Sequence, residues 1–422
     1  MKNQLIKRRK RIFNILEDNS ILVLHSGFAP FKSADSSYEF NVNHNFYYLA
    51  GIDQEDATLV IGKANGKYYE QLFIEENDDY KTKWVGAKLT KEEASELSGY
   101  DVKNISYNDS FSNYMTNHLQ VLRYAEQVAY NLYLDLEKHE LPFYNTFGLT
   151  YAKTIKENYP AIVIKDIYSE IIKLRMIKDE KEIKLIKESI DTTNNAILEV
   201  MKNSKKINNE MQAEAYYDFI NRSEGKNASF TSIVAAGKNA TTLHYVDNNE
   251  NIQHDDLLLM DVGCYTKHYS SDITRTFPIN GKFTKRQKEV YEVVLNCNKK
   301  CIEFAKAGIT WKEINEYAQK LLAEGCKKLG LIKEDSELGK YYYHSIGHSL
   351  GLDVHDPSLR NLGLVEGMVI TIEPGLYIAE ENIGIRIEDN IQIGLEKSEV
   401  LSKNIIKEVQ EIEDFFENHN QN

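Results

Sequence analysis

The sequence is poor in cysteine, and the cysteines that it has are not spaced like a redox or metal motif. Four cysteines occur in 422 residues, and none of them forms a C-x-x-C pair. This number is too small for a disulfide-stabilised secreted fold. Cys297 and Cys301 are one helical turn apart, which is typical of small residues on the buried face of a helix.

Long apolar runs are also missing, because no stretch approaches the roughly 18 residues that a membrane span requires. The basic run Lys7–Arg11 resembles the start of a signal peptide, but acidic residues at 17–18 interrupt the apolar stretch that should follow. We therefore predict a cytoplasmic protein without a membrane partner. The basic run is then the solvated face of a first helix, whose predicted buried residues are Leu5, Ile12, Ile15 and Leu16.

Signals for nucleic-acid and nucleotide binding are absent as well. The chain has 64 acidic and 51 basic residues and a formal net charge of −13, which argues against nucleic acid as a partner. Neither a G-x-G-x-x-G sequence nor a Walker motif occurs, so no nucleotide site is indicated.

The length and the alternation of segments predict two domains. A chain of 422 residues exceeds what one hydrophobic core usually organises. In the first part, four short apolar runs are predicted to be strands: Ile21–Leu24, Phe46–Leu49, Leu59–Ile61 and Leu72–Ile74. We predict an α/β (α+β) two-domain protein, with a smaller N-terminal α/β domain over residues 1–172 and a second domain over residues 173–422.

The second domain is predicted to begin with an amphipathic helix. Asp179 and Glu182 have the D-x-x-E spacing of a capping box and precede isoleucines at helical intervals. Another helix is predicted over residues 285–306. The predicted strands are Leu257–Met260, Asp272–Phe277, Met368–Ile372 and Ile383–Ile393, the last as one continuous strand. Its alternation places Arg386 and Glu388 on the same side.

Five side chains that can bind metal follow one another in this domain: Asp261, Asp272, His348, Glu373 and Glu388. Asp261 follows four apolar residues and Glu388 lies in an isoleucine-rich segment, where an unpaired carboxylate is unfavourable. Arg275 and Arg386 can neutralise two acids, but not all four together with the histidine. The set predicts two divalent metal ions, Mn²⁺ first and Co²⁺, Zn²⁺ or Fe²⁺ as alternatives, in a hydrolytic site.

Other histidines are candidates for proton handling. His344 precedes His348 by one helical turn, but no glutamate follows it, so the H-E-x-x-H zinc motif is absent. His355 and the isolated His244 are candidates for proton transfer or oxyanion stabilisation. A solvated loop position explains His355 equally well when that residue is considered alone.

Several segments together resemble a known family. The second-domain segments are Met260–Gly263, Ser271–Phe277, Gly347–Asp356, Thr371–Tyr377 and Gly384–Asn390. They are similar to the metal-binding motifs of the pita-bread metallopeptidases, and within these to aminopeptidase P, the Xaa-Pro aminopeptidases of family M24B. In the first domain, Lys32–Tyr38 and Asn45–Gly51 resemble the N-terminal domain of that family. The resemblance covers nearly the whole chain and implies a C-terminal pita-bread catalytic domain.

The resemblance also implies a role for each matching residue. The five potential ligands correspond to the family's dinuclear ligands, with Asp272 and Glu388 bridging the metals and Glu373 also handling the proton of the attacking water. His244 matches a histidine on the substrate side, and His355 matches one near the scissile carbonyl. The matching outer and substrate-binding positions are His344, Arg386 and Trp84. Arg360 lies in a less typical stretch after Asp356, so its role in substrate binding is a weaker expectation.

The activity that the resemblance implies is release of the N-terminal residue from peptides that have proline in the second position. A homodimer or homotetramer is expected, and Trp84 is expected to reach an active site, which in this family is often that of a neighbouring subunit. The alternatives are an Xaa-Pro dipeptidase (prolidase) and, more remotely, a pita-bread protein that binds partners without catalysis. The long first domain argues against a methionine aminopeptidase, and the complete ligand set argues against metal-free amidinohydrolysis.

Overall fold

The computed structural model describes residues 2–119, 128–138 and 146–419. It divides into two compact units, Met1–Arg175 and Met176–Asn422. Helices and sheets occur together in both units, which confirms the predicted α/β (α+β) two-domain class.

In the first unit, helices surround a mixed sheet. The helices are α1 (Lys2–Ile15), α2 (His44–Ala50), α3 (Asp79–Val85), α4 (Lys91–Ser98), α5 (Phe111–Leu119), α6 (Phe147–Asn158) and α7 (Tyr168–Met176). The strands are β1 (Ser20–His25), β2 (Phe31–Ser33), β3 (Ser36–Ser37), β4 (Thr58–Ala64), β5 (Lys67–Ile74), β6 (Ile105–Tyr107), β7 (Asn131–Leu134) and β8 (Val163–Asp166). Within the described residues, six strands form one sheet in the order β6-β5-β4-β1-β7-β8, and β2 pairs with β3 as a separate hairpin.

The buried side chains of this sheet form the core of the first unit. Ile21 and Val23 on β1, Val60 on β4 and Phe73 on β5 belong to one apolar cluster with side chains from β7, α5 and α6. Strands β1, β4 and β5 pair antiparallel, whereas β7 and β8 add to the sheet in parallel. Three of the four predicted strands are therefore confirmed.

The fourth prediction is wrong, because Phe46–Leu49 lies in helix α2. The side chain of Asn43 accepts a hydrogen bond from Phe46 N at the start of this helix, and Gly51 ends it with φ 68°. The apolar residues of α2 are buried on all sides, so they show no helical period. The caps decide the conformation, and an apolar run of four residues is too short to reveal it.

Helix α1 is confirmed, but its basic run is a solvated face only in part, because Lys7, Lys10 and Arg11 are exposed whereas Arg8 and Arg9 are buried. Arg8 is 4% exposed and Arg9 is fully buried, whereas Ile15, which we predicted to be buried, is 37% exposed. The Arg9 guanidinium lies over the Tyr100 ring, 4.1 Å from its centroid, and donates to the carbonyls of Leu49 and Ser98. Because these partners are distant in sequence, the local charge pattern could not indicate the burial.

The second unit contains longer helices and smaller sheets. The helices are α8 (Glu180–Lys202), α9 (Glu210–Ser223), α10 (Lys285–Phe304), α11 (Trp311–Lys328) and α12 (Val409–His419). The strands are β9 (Asn227–Ala228), β10 (Ile233–Ala236), β11 (Leu257–Val262), β12 (Cys264–Thr266), β13 (Tyr269–Ser270), β14 (Ile273–Pro278), β15 (Val369–Ile372), β16 (Gly375–Ile378), β17 (Ile383–Arg386), β18 (Asp389–Gln392) and β19 (Glu399–Val400). Antiparallel sheets of the orders β10-β11-β14 and β15-β18-β19 carry most of the predicted ligands.

Both helices predicted in the second unit are confirmed. Helix α8 begins with the capping box in which Asp179 and Glu182 satisfy each other's backbone N–H groups. Helix α10 buries Cys297 and Cys301 on one face, as their spacing indicates, and both thiols are free. Across the described residues, no helix combines the length and the apolar content that crossing a bilayer requires.

The segment predicted as one strand, Ile383–Ile393, is instead two strands in two sheets. Strand β17 pairs with β16, whereas β18 pairs with β15 and β19. The break falls at Ile387 and Glu388, where Ile387 N donates to the carbonyl of Pro374 and Glu388 N donates to that of Thr274. An alternating pattern shows which residues share a face, but it does not show where a strand changes partners.

Candidate metal centre

The five predicted ligands are carried by strand ends and loops of the second unit. Asp261 lies in β11 and Asp272 immediately precedes β14, which pairs with β11. Glu373 follows β15, and Glu388 lies between β17 and β18. His348 lies in the loop before β15, where its backbone N–H donates to the Thr371 hydroxyl. Pairing between these strands therefore brings residues from distant parts of the chain to one place.

The side chains of all five residues converge. His348 Nε2 lies 3.3 Å from Asp272 Oδ2 and 3.5 Å from Glu373 Oε1. Asp261, Asp272 and Glu388 form one group whose ligand atoms all lie within 4.8 Å of one another, and His348, Glu373 and Glu388 form another. The two groups share Glu388, so the donors are arranged as two adjacent clusters.

The metal centre contains more carboxylates than positively charged side chains, and this excess changes the pKa values of its residues. Burial raises the pKa of Asp272 to about 7, and the negative charge of Asp261 adds to the effect. Burial likewise raises the pKa of Glu373 and that of Glu388. Burial alone would lower the pKa of His348, but its hydrogen bond to Asp272 and the charge of Glu373 raise it to about 9. Without metal, the acids of the site therefore retain protons, and they can all be ionised together only if positive charge is added.

Two carboxylate oxygens of the centre are available to bind a cation. Asp261 Oδ1 and Glu388 Oε1 are buried and accept no hydrogen bond from the described residues. A buried acceptor without a donor is unfavourable, and a divalent ion satisfies it. Carboxylate oxygens with one imidazole are a donor set suited to Mn²⁺ and to related divalent ions.

A hydrogen-bonded chain connects the predicted outer residues to the acids. Arg386 Nη2 donates to Asp261 Oδ2 at 2.6 Å, and Arg386 Nη1 donates to the Tyr377 hydroxyl at 3.0 Å. His344 Nε2 lies 2.8 Å from that same hydroxyl. Burial lowers the pKa of His344 to about 4, so the ring is neutral near pH 7. Arg386 and His344 therefore belong to one network, which Tyr377 links and which the sequence did not indicate.

The two arginines that were expected to neutralise acids of the site have different partners. Arg386 does neutralise one of the four acids, Asp261. Arg275 instead pairs with Asp389, 2.8 Å away, which is not among the predicted ligands. One guanidinium among four acids leaves the site with an excess of negative charge.

The other two predicted histidines are exposed. The His355 ring lies 4.0 Å from the His348 ring, centroid to centroid. Although the residue as a whole is exposed, partial desolvation of its ring and then the positive charge of His348 lower the pKa of His355 to about 4. A ring nitrogen of His355 lies within 4.8 Å of ligand atoms of Asp272 and His348. His244 lies in a turn after the short helix Gly237–Thr241. The next residue, Tyr245, donates its hydroxyl to Glu210 Oε2 at 2.7 Å and so anchors this turn.

A buried ion pair holds the loop that carries His348 and His355. Lys178 Nζ donates to Asp356 Oδ2 at 2.9 Å, and both side chains are almost completely buried. Asp356 N in turn donates to the carbonyl of Ser349 and closes the loop. Neither Lys178 nor Asp356 was singled out in the sequence, because the partners lie 178 positions apart.

The remaining predicted residues are Trp84 and Arg360, and neither is among the four acids and one histidine of the centre. Trp84 belongs to the first unit, where it lies in α3, is 73% exposed and has its ring 6.1 Å from that of Tyr80. Arg360 lies in the short helix Arg360–Leu362, with its guanidinium 5.7 Å from the centroid of Trp311. Arg360 is exposed, which leaves its side chain accessible to a bound peptide.

Comparison with known families identifies the class of protein that this fold and donor set define. Residues 184–394 match the model of metallopeptidase family M24, and residues 5–126 match that of the aminopeptidase P N-terminal domain. The chain therefore belongs to metallopeptidase family M24, with an aminopeptidase P N-terminal domain ahead of the catalytic one.

Individual relatives extend over nearly the full chain. The Xaa-Pro aminopeptidase of Haemophilus influenzae is 31% identical, over 98% of this chain and 96% of its own length. The mitochondrial intermediate cleaving peptidase 55 of Arabidopsis thaliana is 32% identical, over 99% of this chain and 83% of its own. Among solved structures, aminopeptidase P of Escherichia coli has a TM-score of 0.90 at 27% identity and covers 100% of this chain and 99% of its own. The resemblance deduced from the motifs is confirmed.

Proposed function

We propose that this protein is a metal-dependent Xaa-Pro aminopeptidase that releases the N-terminal residue from peptides with proline in the second position. The observation that carries the proposal is the convergence of Asp261, Asp272, His348, Glu373 and Glu388 in two adjacent, largely buried donor groups with excess negative charge. Relatives that bear this activity in their names match both domains of the chain.

The proposed cofactor is a pair of divalent ions held by these five side chains. Mn²⁺ is the first expectation, with Co²⁺, Zn²⁺ or Fe²⁺ as alternatives. Asp272 and Glu388 would be the shared ligands, because each of these two carboxylates belongs to two of the donor groups, whereas Asp261 and Glu373 each belong to one. When bound, two such ions supply a water of lowered pKa and a Lewis acid that polarises a peptide carbonyl.

The chain's own groups then handle protons and charge. Glu373 is the proposed base that takes the proton of the attacking water and delivers it to the proline nitrogen, which cannot leave as an anion. His355, neutral near pH 7, donates its ring N–H to the developing oxyanion.

Substrate positioning is proposed for the remaining residues. His244, on its anchored turn, covers the pyrrolidine ring of the substrate. His344 and Arg386 orient the ligand Asp261 through their shared network with Tyr377. Trp84, exposed on α3, is proposed to contact peptide or a neighbouring subunit, and Arg360 to bind the peptide chain.

The specificity for proline has a chemical reason. An Xaa-Pro bond is a tertiary amide without an N–H group, so an enzyme that recognises that group by hydrogen bonding loses a contact. A site that acts on the carbonyl oxygen and the amine of the first residue does not need it. The metal ions that the donor cluster would hold would supply the positive charge for the carbonyl oxygen, and the amine would lie on or beside one of them.

The direct test uses matched tripeptides. The purified protein is made metal-free with a chelator, Mn²⁺ is restored, and Xaa-Pro-Yaa and Xaa-Ala-Yaa peptides are compared by kcat/KM. We expect no activity without metal, recovery with Mn²⁺ and preference for the proline peptide. Equal rates on the two peptides would contradict the proposed proline specificity. Full activity after chelation would contradict the proposed metal requirement.

The two rival functions predict other outcomes. A prolidase would cleave the dipeptide Xaa-Pro and leave the tripeptide intact, whereas an aminopeptidase releases Xaa from the tripeptide. A partner-binding protein without catalysis would retain almost no metal by mass spectrometry.

Three further statements about the chain stay predictions. The domains are proposed to meet at residues 172 and 173. The active form is proposed to be a homodimer or homotetramer, which light scattering would measure. The proposed location is the cytoplasm, without a membrane or nucleic-acid partner.

A further inference from the structure

Helix α10 contributes one polar residue to the interior of the second unit, Asn298. Its side chain is completely buried. Asn298 Nδ2 donates to two backbone carbonyls, that of Ile372 at 3.0 Å and that of Ile387 at 3.2 Å. These carbonyls belong to the residues that immediately precede Glu373 and Glu388. One amide nitrogen therefore joins the two backbone segments that carry two of the proposed metal ligands.

The positions of these carbonyls explain why a side chain is needed there. Ile372 ends β15, and Ile387 lies in the break between β17 and β18. A buried carbonyl at such a break requires a hydrogen-bond donor, and a side chain supplies it where the regular ladder stops. The N–H groups of Glu373 and Glu388 already donate elsewhere, to the carbonyls of Ile346 and Thr274.

The orientation of the Asn298 amide is itself determined. Lys407 Nζ donates to Asn298 Oδ1 at 2.8 Å, so the oxygen faces Lys407 and the nitrogen faces the two carbonyls. The same ammonium donates to Asp389 Oδ2 at 2.5 Å, on the residue next to Glu388. Lys407 therefore holds the amide in the orientation that spans both strand ends.

The geometry points to Asn298 as a positioning residue that sets the separation of Glu373 and Glu388 for metal binding. Asn298 does not touch the metal or the peptide, and it acts only through the backbone of the two glutamates. This inference rests on the metal-binding part of the proposed function and adds a residue that none of the sequence motifs contains. Groups that orient metal ligands usually change metal affinity or activity by about 10- to 100-fold when they are removed.

The test compares Asn298→Asp and Asn298→Ala with the unaltered full-length protein. In Asn298→Asp, an acceptor for Lys407 remains while the donor to the two carbonyls is lost, and Asn298→Ala removes both. Metal-free protein is titrated with Mn²⁺ by calorimetry. We expect the affinity for Mn²⁺ to fall by about 10- to 100-fold in both variants. With an Xaa-Pro-Yaa tripeptide at saturating Mn²⁺, we expect kcat to fall while KM changes little.

Gln287→Ala is the matched control on the same helix. Gln287 Nε2 donates to the carbonyl of Asp255 at 2.8 Å, so this variant also loses an amide-to-carbonyl hydrogen bond, but not next to a proposed ligand. We expect Gln287→Ala to lower the melting temperature of the metal-free protein and to leave the Mn²⁺ affinity unchanged.

Three outcomes would overturn the inference: wild-type Mn²⁺ affinity in folded Asn298 variants, an equal loss of affinity in Gln287→Ala, or failure of both Asn298 variants to fold by circular dichroism. The last outcome would mean that the amide serves the fold as a whole. Since the titration uses no peptide, absence of peptidase activity in the unaltered protein would count against the proposed function alone.

Discussion

Two neighbouring buried acids, Glu388 and Asp389, lie in opposite electrostatic environments. Around Asp389 stand Arg275 and Lys407, which lower its pKa although burial opposes them. Around Glu388 stand Asp272, Glu373 and Asp261, which together with burial raise its pKa. One step along the chain therefore separates a carboxylate that has internal cations from one that has an oxygen without a partner among the described residues.

The comparison shows how structural and functional buried charge differ. The Asp389 carboxylate has two cations and the Ser402 hydroxyl, so the chain satisfies it completely. Glu388 receives one hydroxyl, from Thr274, and its other oxygen has no partner among the described residues. A carboxylate that the protein does not satisfy needs an external cation, and this asymmetry marks the metal site.

The largest expected effect is on catalysis. Glu373→Gln keeps the shape of the side chain but removes the proposed proton carrier, so kcat on an Xaa-Pro-Yaa peptide should fall by about 10²- to 10⁴-fold. Steady-state kinetics at saturating Mn²⁺ measures the change. Normal kcat in this variant would show that Glu373 does not handle the proton.

The next effect is on stability, which should change in opposite directions when Asp389 and Glu388 are each neutralised. Asp389→Asn leaves Arg275 and Lys407 without their carboxylate and should destabilise the protein by about 3–5 kcal/mol. Glu388→Gln relieves repulsion among acids and should raise the melting temperature of the metal-free protein. Thermal unfolding without metal measures both variants, and shifts of the same sign would contradict the comparison.

A smaller effect should appear in the pH dependence of stability. Folding raises the pKa of Asp272 from 3.8 to about 7 and that of His348 from 6.5 to about 9. In the folded metal-free protein these two groups therefore bind protons that the unfolded chain has released, and their contribution to stability falls as pH rises from about 4 to about 9. Because bound metal replaces these protons, stabilisation by Mn²⁺ should grow by a few degrees between about pH 5 and pH 8. Calorimetry with and without Mn²⁺ measures it, and a constant difference would contradict the assignment.

The smallest expected effect is on stability, from loss of the hydrogen bond that Ser402 donates to Asp389. Ser402→Ala removes the hydroxyl that donates to Asp389 Oδ1 at 2.7 Å and should cost about 1–2 kcal/mol. Ser398→Ala is the control, because its buried hydroxyl donates to a neutral acceptor, the carbonyl of Ala305. Urea unfolding should show the larger loss for Ser402→Ala. Equal losses would mean that the charge of Asp389 adds nothing.

The proposed ligands could be found in the sequence because their chemistry is local. Asp261 after an apolar strand and Glu388 in an isoleucine-rich segment are acids where burial is expected, and only a cation makes several such acids compatible. The helices could be found for a similar reason, since the capping box at Asp179 and the apolar spacing of α10 need no distant partner.

Two of the errors concern residues whose partners are distant, and the third concerns an apolar run too short to show a period. The sequence predicts Arg9 to be a surface charge, but in the structure it is buried and donates to Glu70 and to the carbonyl of Leu49. Phe46–Leu49 reads as a strand until burial on all sides of α2 is seen. Ile383–Ile393 reads as one strand until two different sheets divide it.

The sequence by itself determined which groups are available: four acids and a histidine in buried surroundings, and the helices whose caps and apolar faces are encoded within a few residues. Only the tertiary structure decided which acids receive an internal cation and which do not. Arg275, Lys407 and Asn298 are ordinary residues in the sequence, and they acquire their roles because strand pairing brings them beside Asp389 and the carbonyls before Glu373 and Glu388. Electrostatic and hydrogen-bond energies depend on distance in space, which sequence spacing does not supply.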